Sequence, residues 1–298
     1  MHEKKLLTGR LPYTLTNDYL FHIVFQRNKK ILRGLVRSLL NLKDEEIIDI
    51  WLENPITPGE RIDAKTITLD LLITLNGNRI INIEMQVFNN KNWPERSLTY
   101  LCKSFDNLES GMDYFDVMPV IHIGILDFTL FPEYPEFYAH YAMKNIINNN
   151  IYSDKLLLNV LDLNQIHLAT DEDISCGLPY WARLFKAKTW EELQMLASEY
   201  EVFEDITDTM QQALADKKTR MECEARECYE RDRTSLYNSG RREGHLEGRL
   251  EASKEAIIKA IKMSQNYNVT KEATIEQLIE QFELSNNDAE ELIALHWK

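Results

Sequence analysis

Only four cysteines, Cys102, Cys176, Cys223 and Cys228, occur in the 298 residues, and none pair at Cys-x-x-Cys spacing. Zinc-ribbon and dithiol redox motifs are thereby excluded, and free thiols in a reducing cytoplasm are expected. No run of about eighteen apolar residues is present, so no transmembrane helix and no membrane partner are expected. The opening stretch MHEKKLLTGRLPYTLT lacks the apolar core and cleavage site of a signal peptide. Positive charge is also scarce. With 34 Lys and Arg against 48 Asp and Glu, the formal net charge is -14. That argues against a protein that coats nucleic acid without selectivity, so any such contact must use a local basic patch. P-loop, G-x-G-x-x-G, G-x-S-x-G and HExxH motifs are absent, which removes the commonest nucleotide-binding, serine-hydrolase and zinc-protease readings. Hydrophobic residues make up 44% of the chain, enough for a real core. The length suits one large domain plus an appendage, or two domains.

The stretch from Thr66 to Val87, TITLDLLITLNGNRIINIEMQV, reads as two strands around an Asn-Gly turn. With Asn76, Gly77 and Asn78 as the loop, Leu75 faces Arg79, Ile73 faces Ile81, Leu71 faces Ile83 and Leu69 faces Met85, an almost wholly apolar face. A loop one residue shorter would set apolar positions beside polar ones, so the apolar face selects the register. The opposite face then pairs Thr74 with Ile80, Leu72 with Asn82, and Asp70 with Glu84, while Gln86 lies opposite Thr68. Like charges directly across a ladder repel. Such a pair survives if a cation sits between the carboxylates or one takes up a proton. A divalent ion held by two carboxylates, with water and phosphate oxygens in its other positions, is the usual arrangement for Mg²⁺. The alternative is two solvated side chains on the wet face of an antiparallel sheet.

Elsewhere, Thr16 or Asn17 is the expected N-cap of a helix that carries Asp18 in its first turn, where a carboxylate complements the helix dipole. A second helix is expected at about Lys30 to Leu40, and a strand or its approach at Ile47 to Trp51. A helix from Glu95 to about Ser110, ended by Gly111, puts Arg96 and Tyr100 on one face. VMPVIHIGIL, Val117 to Leu126, is expected to be a buried strand beside the hairpin. His122, alone in it, reads as a satisfied core or edge histidine rather than a metal ligand. A further hairpin joins Phe137–Met143 to Leu156–Leu163. From Tyr180 the pattern is helical, with a long charged helix from about Phe203 to Met263 and two short helices at 271–282 and 285–296. Gly240, Gly244 and Gly248 stand at four-residue spacing. They mark either close approach to another helix, and so a homodimer, or a flexible solvated connector. Arg27, Lys29, Lys30, Arg33 and Arg37 form a compact basic cluster that suits either a DNA backbone or an ordinary solvated helix face.

Asn17-Asp18-x-x-Phe21, Lys65, Asp70, the string NGNRIINIEMQ, Arg96-x-x-x-Tyr100 and VMPVIHIGILDF together resemble the Rpn / PD-(D/E)XK nuclease family transposases, over roughly residues 12–255. These are recombination-promoting nucleases related in fold to restriction endonucleases. The resemblance implies an α/β, restriction-endonuclease-like core, a mixed central sheet flanked by helices, with a helical C-terminal extension. The expected division is a nuclease-like domain at 1–200, a charged, self-associating helix at 201–264 and a small helical segment at 265–298. It further implies a Mg²⁺-dependent DNA endonuclease, with Mn²⁺ as a substitute, linked to recombination or mobile elements. Asp70 and Glu84 would hold the ion with Asp18, Gln86 would position water in place of the wider fold's lysine, and Lys65 would supply the missing cation. Arg96 and Tyr100 would be phosphate or structural contacts. His22 departs from the lysine that relatives usually carry after the Phe. RNA cleavage by the same site is a third possibility. The rival class is a catalytically weak or silent interaction protein that keeps the fold.

Overall fold

The computed structural model describes residues 7–56, 71–108 and 110–297. It divides into two compact units, Met1–Glu230 and Arg231–Lys298. In chain order the elements are α1 (Asp18–Arg27), α2 (Lys29–Leu39), β1 (Ile50–Leu52), β2 (Leu71–Leu75), β3 (Arg79–Gln86), α3 (Trp93–Phe105), β4 (Val120–Leu126), β5 (Tyr138–Lys144) and β6 (Ile151–Asp162). Then follow α4 (Asp171–Ser175), α5 (Leu178–Lys186), α6 (Trp190–Glu199), α7 (Ile206–Ala215), α8 (Lys217–Asn266), α9 (Lys271–Phe282) and α10 (Asn286–His296).

The sheet of the first unit is mixed, in the order β1-β2-β3-β4-β6-β5. β2 and β3 form the expected hairpin, with Leu75 opposite Arg79, Ile73 opposite Ile81 and Leu71 opposite Ile83. Both Asn76 and Gly77 take positive φ, +52° and +65°, conformations that Asn and Gly tolerate best. Asn76 also does a second job. Its Oδ1 accepts from the backbone N–H of Ile48 and Asp49, and its Nδ2 donates to the Glu46 carbonyl. The turn is thereby tied to the segment that becomes β1. Asp70 and Lys65 lie outside the described residues.

β3 continues into a parallel pairing with β4, and β4 pairs in parallel with β6. β5 closes the far edge antiparallel to β6, with register irregularities at Ala142/Met143 and Met143/Lys144. One face of the sheet carries Ile73, Ile81, Ile83, Ile121, Ile123, Ile125 and Leu161, packed in the main core with α1, α2, α5 and α6. The other face has a smaller core of Trp93, Leu126, Ala139 and Val160. Trp93 opens α3, so this helix covers that face.

Two expectations are corrected. The helix after the hairpin stops at Phe105, not Ser110. Asn107 intervenes: its Nδ2 donates to the Ser104 and Met118 carbonyls and its Oδ1 accepts from Met118 N–H, turning the chain towards β4. The long charged helix is interrupted at Asp216, an extended residue between α7 and α8. Its carboxylate accepts from Lys218 N–H and the Thr219 hydroxyl, so the break doubles as a fresh helix start. In the second unit Ile257 and Ile261 of α8 pack with Leu278, Ala289 and Ile293 of α9 and α10. Ser285 caps α10 through Asp288 N–H. No helix among the described residues is long and apolar enough to cross a membrane, and no disulfide joins any of the four cysteines in the described residues.

Gly124 of β4 lets α3 come this close. A Cβ there would overlap the indole of Trp93, whose Cζ2, Cη2 and Cε2 all lie within 3.0 Å of its position. Because a ring edge in a packed face cannot swing aside, Gly124→Ala should cost about 1–3 kcal/mol. A denaturant melt that leaves the midpoint unchanged would contradict this packing.

Candidate functional site

The second face of the sheet is not wet. Glu84 is 2% exposed, which overturns the solvated-side-chain alternative for that residue, while Asp70 lies outside the described residues. Strand alternation puts Asn82, Glu84 and Gln86 of β3 on the side that faces α3. In the parallel register Asn82 lies beside His122, Glu84 beside Gly124, and Gln86 beside Leu126.

A buried carboxylate needs a counter-charge or a proton. Arg96, one turn into α3, supplies the charge: its Nε and Nη2 both lie 2.7 Å from Glu84 Oε1. Both nitrogens address the same oxygen. Among the described residues, Glu84 Oε2 is buried without a hydrogen-bond partner. Burial pushes the Glu84 pKa up, Arg96 draws it back, and the charge of Asp18 adds to the rise. Two of the expected site carboxylates are therefore close enough to feel one another.

Asp18 itself is half-buried. Its Oδ1 accepts from Tyr19 N–H at 2.8 Å, and its Oδ2 stands 3.8 Å from Arg226. Burial raises its pKa, with Arg226 opposing. Asn17, the N-cap of α1, anchors this corner by accepting from Leu20 N–H and donating to the Cys223 carbonyl. Gln86 is half-buried, and its Nε2 donates to the Phe88 carbonyl at 3.2 Å, which leaves the amide oxygen to accept from other donors.

Arg96 lies over the Tyr100 ring at 4.9 Å, as helical i, i+4 spacing allows. The Tyr100 ring stacks on His122 at 6.3 Å with 6° between planes, and Trp93 packs against the same imidazole at 5.7 Å. His122 is fully buried, and burial with the Arg96 charge holds its pKa at about 4, so the ring is neutral. Trp93 Nε1 and His122 Nε2 join Glu84 Oε2 as buried polar atoms with no hydrogen-bond partner. Each such atom costs about 1–3 kcal/mol, more if charged. Two of them, Glu84 Oε2 and His122 Nε2, lie 3.8 Å apart.

Asn82 did not stand out in the chain, and His122 read there as a satisfied core or edge histidine. The readable signal is the period-two pattern N-x-E-x-Q on one strand and H-x-G on the next, which acquires meaning only when the two strands pair in parallel. His22 is buried in α1. The basic cluster is largely paired with neighbouring side chains, most of them at the surface. Arg27 pairs with Asp216, Lys30 with Glu204 and Arg33 with Asp44, while Arg37 donates to the Tyr200 hydroxyl and Lys29 lies over Trp51.

This arrangement can be compared with known proteins. Residues 15–240 match the family described as PD-(D/E)XK nuclease family transposase. The chain belongs to that family. No match was found among curated proteins or among solved structures. As a PD-(D/E)XK nuclease family transposase, it has the restriction-endonuclease-like fold that its mixed sheet and flanking helices display, and the family points to a nuclease or mobile-element function. Nucleases of this kind typically use divalent metals. Among the described residues no group of three or more His, Cys, Asp or Glu is placed to hold a metal ion. The donors that are described still suit a hard cation: a buried carboxylate oxygen without a partner, and a second carboxylate within electrostatic reach.

Breaking the pair at Glu84 has a calculable cost. Arg96→Met should lower stability by about 2 kcal/mol, below the roughly 3–5 of a fully buried pair, because the guanidinium is 34% exposed. Adding Glu84→Gln to that variant removes the stranded charge and should restore part of the loss. Thermal unfolding of the wild type, both single variants and the double variant checks it; a double variant no better than Arg96→Met would contradict the pairing.

Proposed function

We propose that this chain is a metal-dependent endonuclease that hydrolyses DNA phosphodiester bonds in the cytoplasm, in the service of recombination or a mobile element. What supports this reading is the buried Glu84 carboxyl group, whose Oε2 has no hydrogen-bond partner among the described residues and whose pKa the charge of Asp18 helps to raise, in a chain of a nuclease family. Asp70 and Glu84 would hold Mg²⁺, or Mn²⁺ in its place, with Asp18 completing the shell directly or through water. When bound, a divalent ion polarises the phosphodiester and lowers the pKa of a water. The protein groups do the rest. Arg96 holds Glu84 Oε1 and opposes the rise that burial imposes on the carboxyl pKa. The amide oxygen of Gln86 accepts from the attacking water and orients it; being neutral, it contributes direction and no charge. Lys65 supplies the positive charge that offsets the phosphorane-like transition state. Arg96 and Tyr100 border the approach of the phosphate.

The test is plasmid cleavage with Mg²⁺. Asp70→Ala and Glu84→Gln should each reduce nicking to background while circular dichroism stays that of the wild type. Wild-type cleavage by either variant would rule the assignment out. Duplex, single-stranded and RNA substrates run side by side decide which nucleic acid is cut.

One observation favours the rival reading of a catalytically silent interaction protein: Arg96 already neutralises Glu84. Calorimetry separates the two, since a silent scaffold would bind no divalent ion through Asp70 and Glu84. We also propose a homodimer through Gly240, Gly244 and Gly248 of α8, where a Cβ would meet nothing within 4 Å. Replacing all three by Leu should lower the mass seen by light scattering to that of one chain; an unchanged mass would place the contact elsewhere.

A further inference from the structure

One buried group at Glu84 is not used by that reading. His122 lies two residues before Gly124, the register partner of Glu84, so imidazole and carboxyl share the face beneath α3. Its Nδ1 lies 3.2 Å from Nδ2 of Asn82, its direct neighbour on β3. An amide nitrogen can only donate, so Nδ1 is the acceptor and the ring proton belongs on Nε2. Among the described residues Nε2 has no hydrogen-bond partner, and it faces Glu84 Oε2, likewise without one there, at 3.8 Å. Tyr100 and Trp93 pack on the ring and hold its plane.

We infer that His122 is a positioning residue of the hydrolytic site: Asn82 fixes it as the Nε2–H tautomer, and that N–H steadies the second oxygen of Glu84. The inference rests on Glu84 as a metal-holding carboxylate. At 3.8 Å the contact is too long for a hydrogen bond, but such contacts are often long in the free enzyme and tighten once a site is loaded. One lone pair of Oε2 then serves the cation while another accepts from His122, and Arg96 keeps Oε1. The carboxyl group is pinned at both oxygens. Groups of this kind, one step removed from the ion, set ligand orientation and basicity.

Gln and Asn separate this role from plain packing. The amide of Gln reaches the place of Nε2, whereas that of Asn reaches only the place of Nδ1. In the metal-free full-length chain, ¹⁵N imidazole shifts should report His122 as the neutral Nε2–H tautomer. By calorimetry with Mn²⁺ alone, His122→Asn should weaken binding about tenfold and His122→Gln no more than about twofold, although both lose stability to a similar extent. An Nδ1–H tautomer, or wild-type Mn²⁺ affinity in His122→Asn, would overturn the inference. Should both variants fail to fold, the wild-type tautomer still decides. Glu84→Gln marks which idea has failed. If it loses Mn²⁺ while His122→Asn keeps it, only the role of His122 falls. If it binds Mn²⁺ like the wild type, or the wild type binds none, the metal reading falls and takes this one with it.

Discussion

A carboxylate buried in the middle of a sheet governs this architecture. Glu84 is placed by strand alternation on a face from which water is excluded, and an unpaired charge there would cost several kcal/mol. Arg96 is the answer, and it fixes the position of α3, since the guanidinium must reach Oε1. Trp93, at the start of that helix, then has to lie on the sheet, and only a glycine at position 124 leaves it room. His122 and Tyr100 fill the space between as a stack of flat rings. Each of these residues follows from the need to keep one charge dry and partnered.

The two faces of the sheet divide the labour. Isoleucines on β2, β3 and β4 bury their side chains against α1, α2 and α5, each contributing about 1.5–3 kcal/mol. That surplus offsets the polar atoms left without partners on the other side. A face rich in ionisable and aromatic groups is affordable because its back is nearly pure hydrocarbon. The net charge of -14 fits the same picture. Cations of the basic cluster near the N-terminal helices pair with neighbouring acids and rings, mostly at the surface.

Much of this was legible in the chain. The hairpin register followed from period-two apolar positions, and the structure repeats it residue for residue from Leu71 to Ile83. Asn17 behaves as the cap its position suggested, because capping is local chemistry. The state of Glu84 was not legible. Whether a polar stripe is wet depends on what packs over it, and nothing local to β3 announces that α3 will do so. β4 was expected beside the hairpin, but its parallel register was not legible, so Asn82 and His122 passed as an ordinary strand polar residue and a lone histidine. The overlong helix after the hairpin and the missed break at Asp216 share a cause. In both, one side chain (Asn107, Asp216) competes with the backbone ladder for hydrogen bonds, and helical periodicity is blind to that contest.

The irregular register near the tip of β5 has a consequence for how the molecule keeps to itself. An outermost strand offers a row of amide and carbonyl groups to any passing chain, and a flat one zips up with its like. Two successive slips at Met143 bend that border and throw its hydrogen-bonding groups out of line. Polymeric sheet growth is discouraged by shape alone, without a proline in the strand.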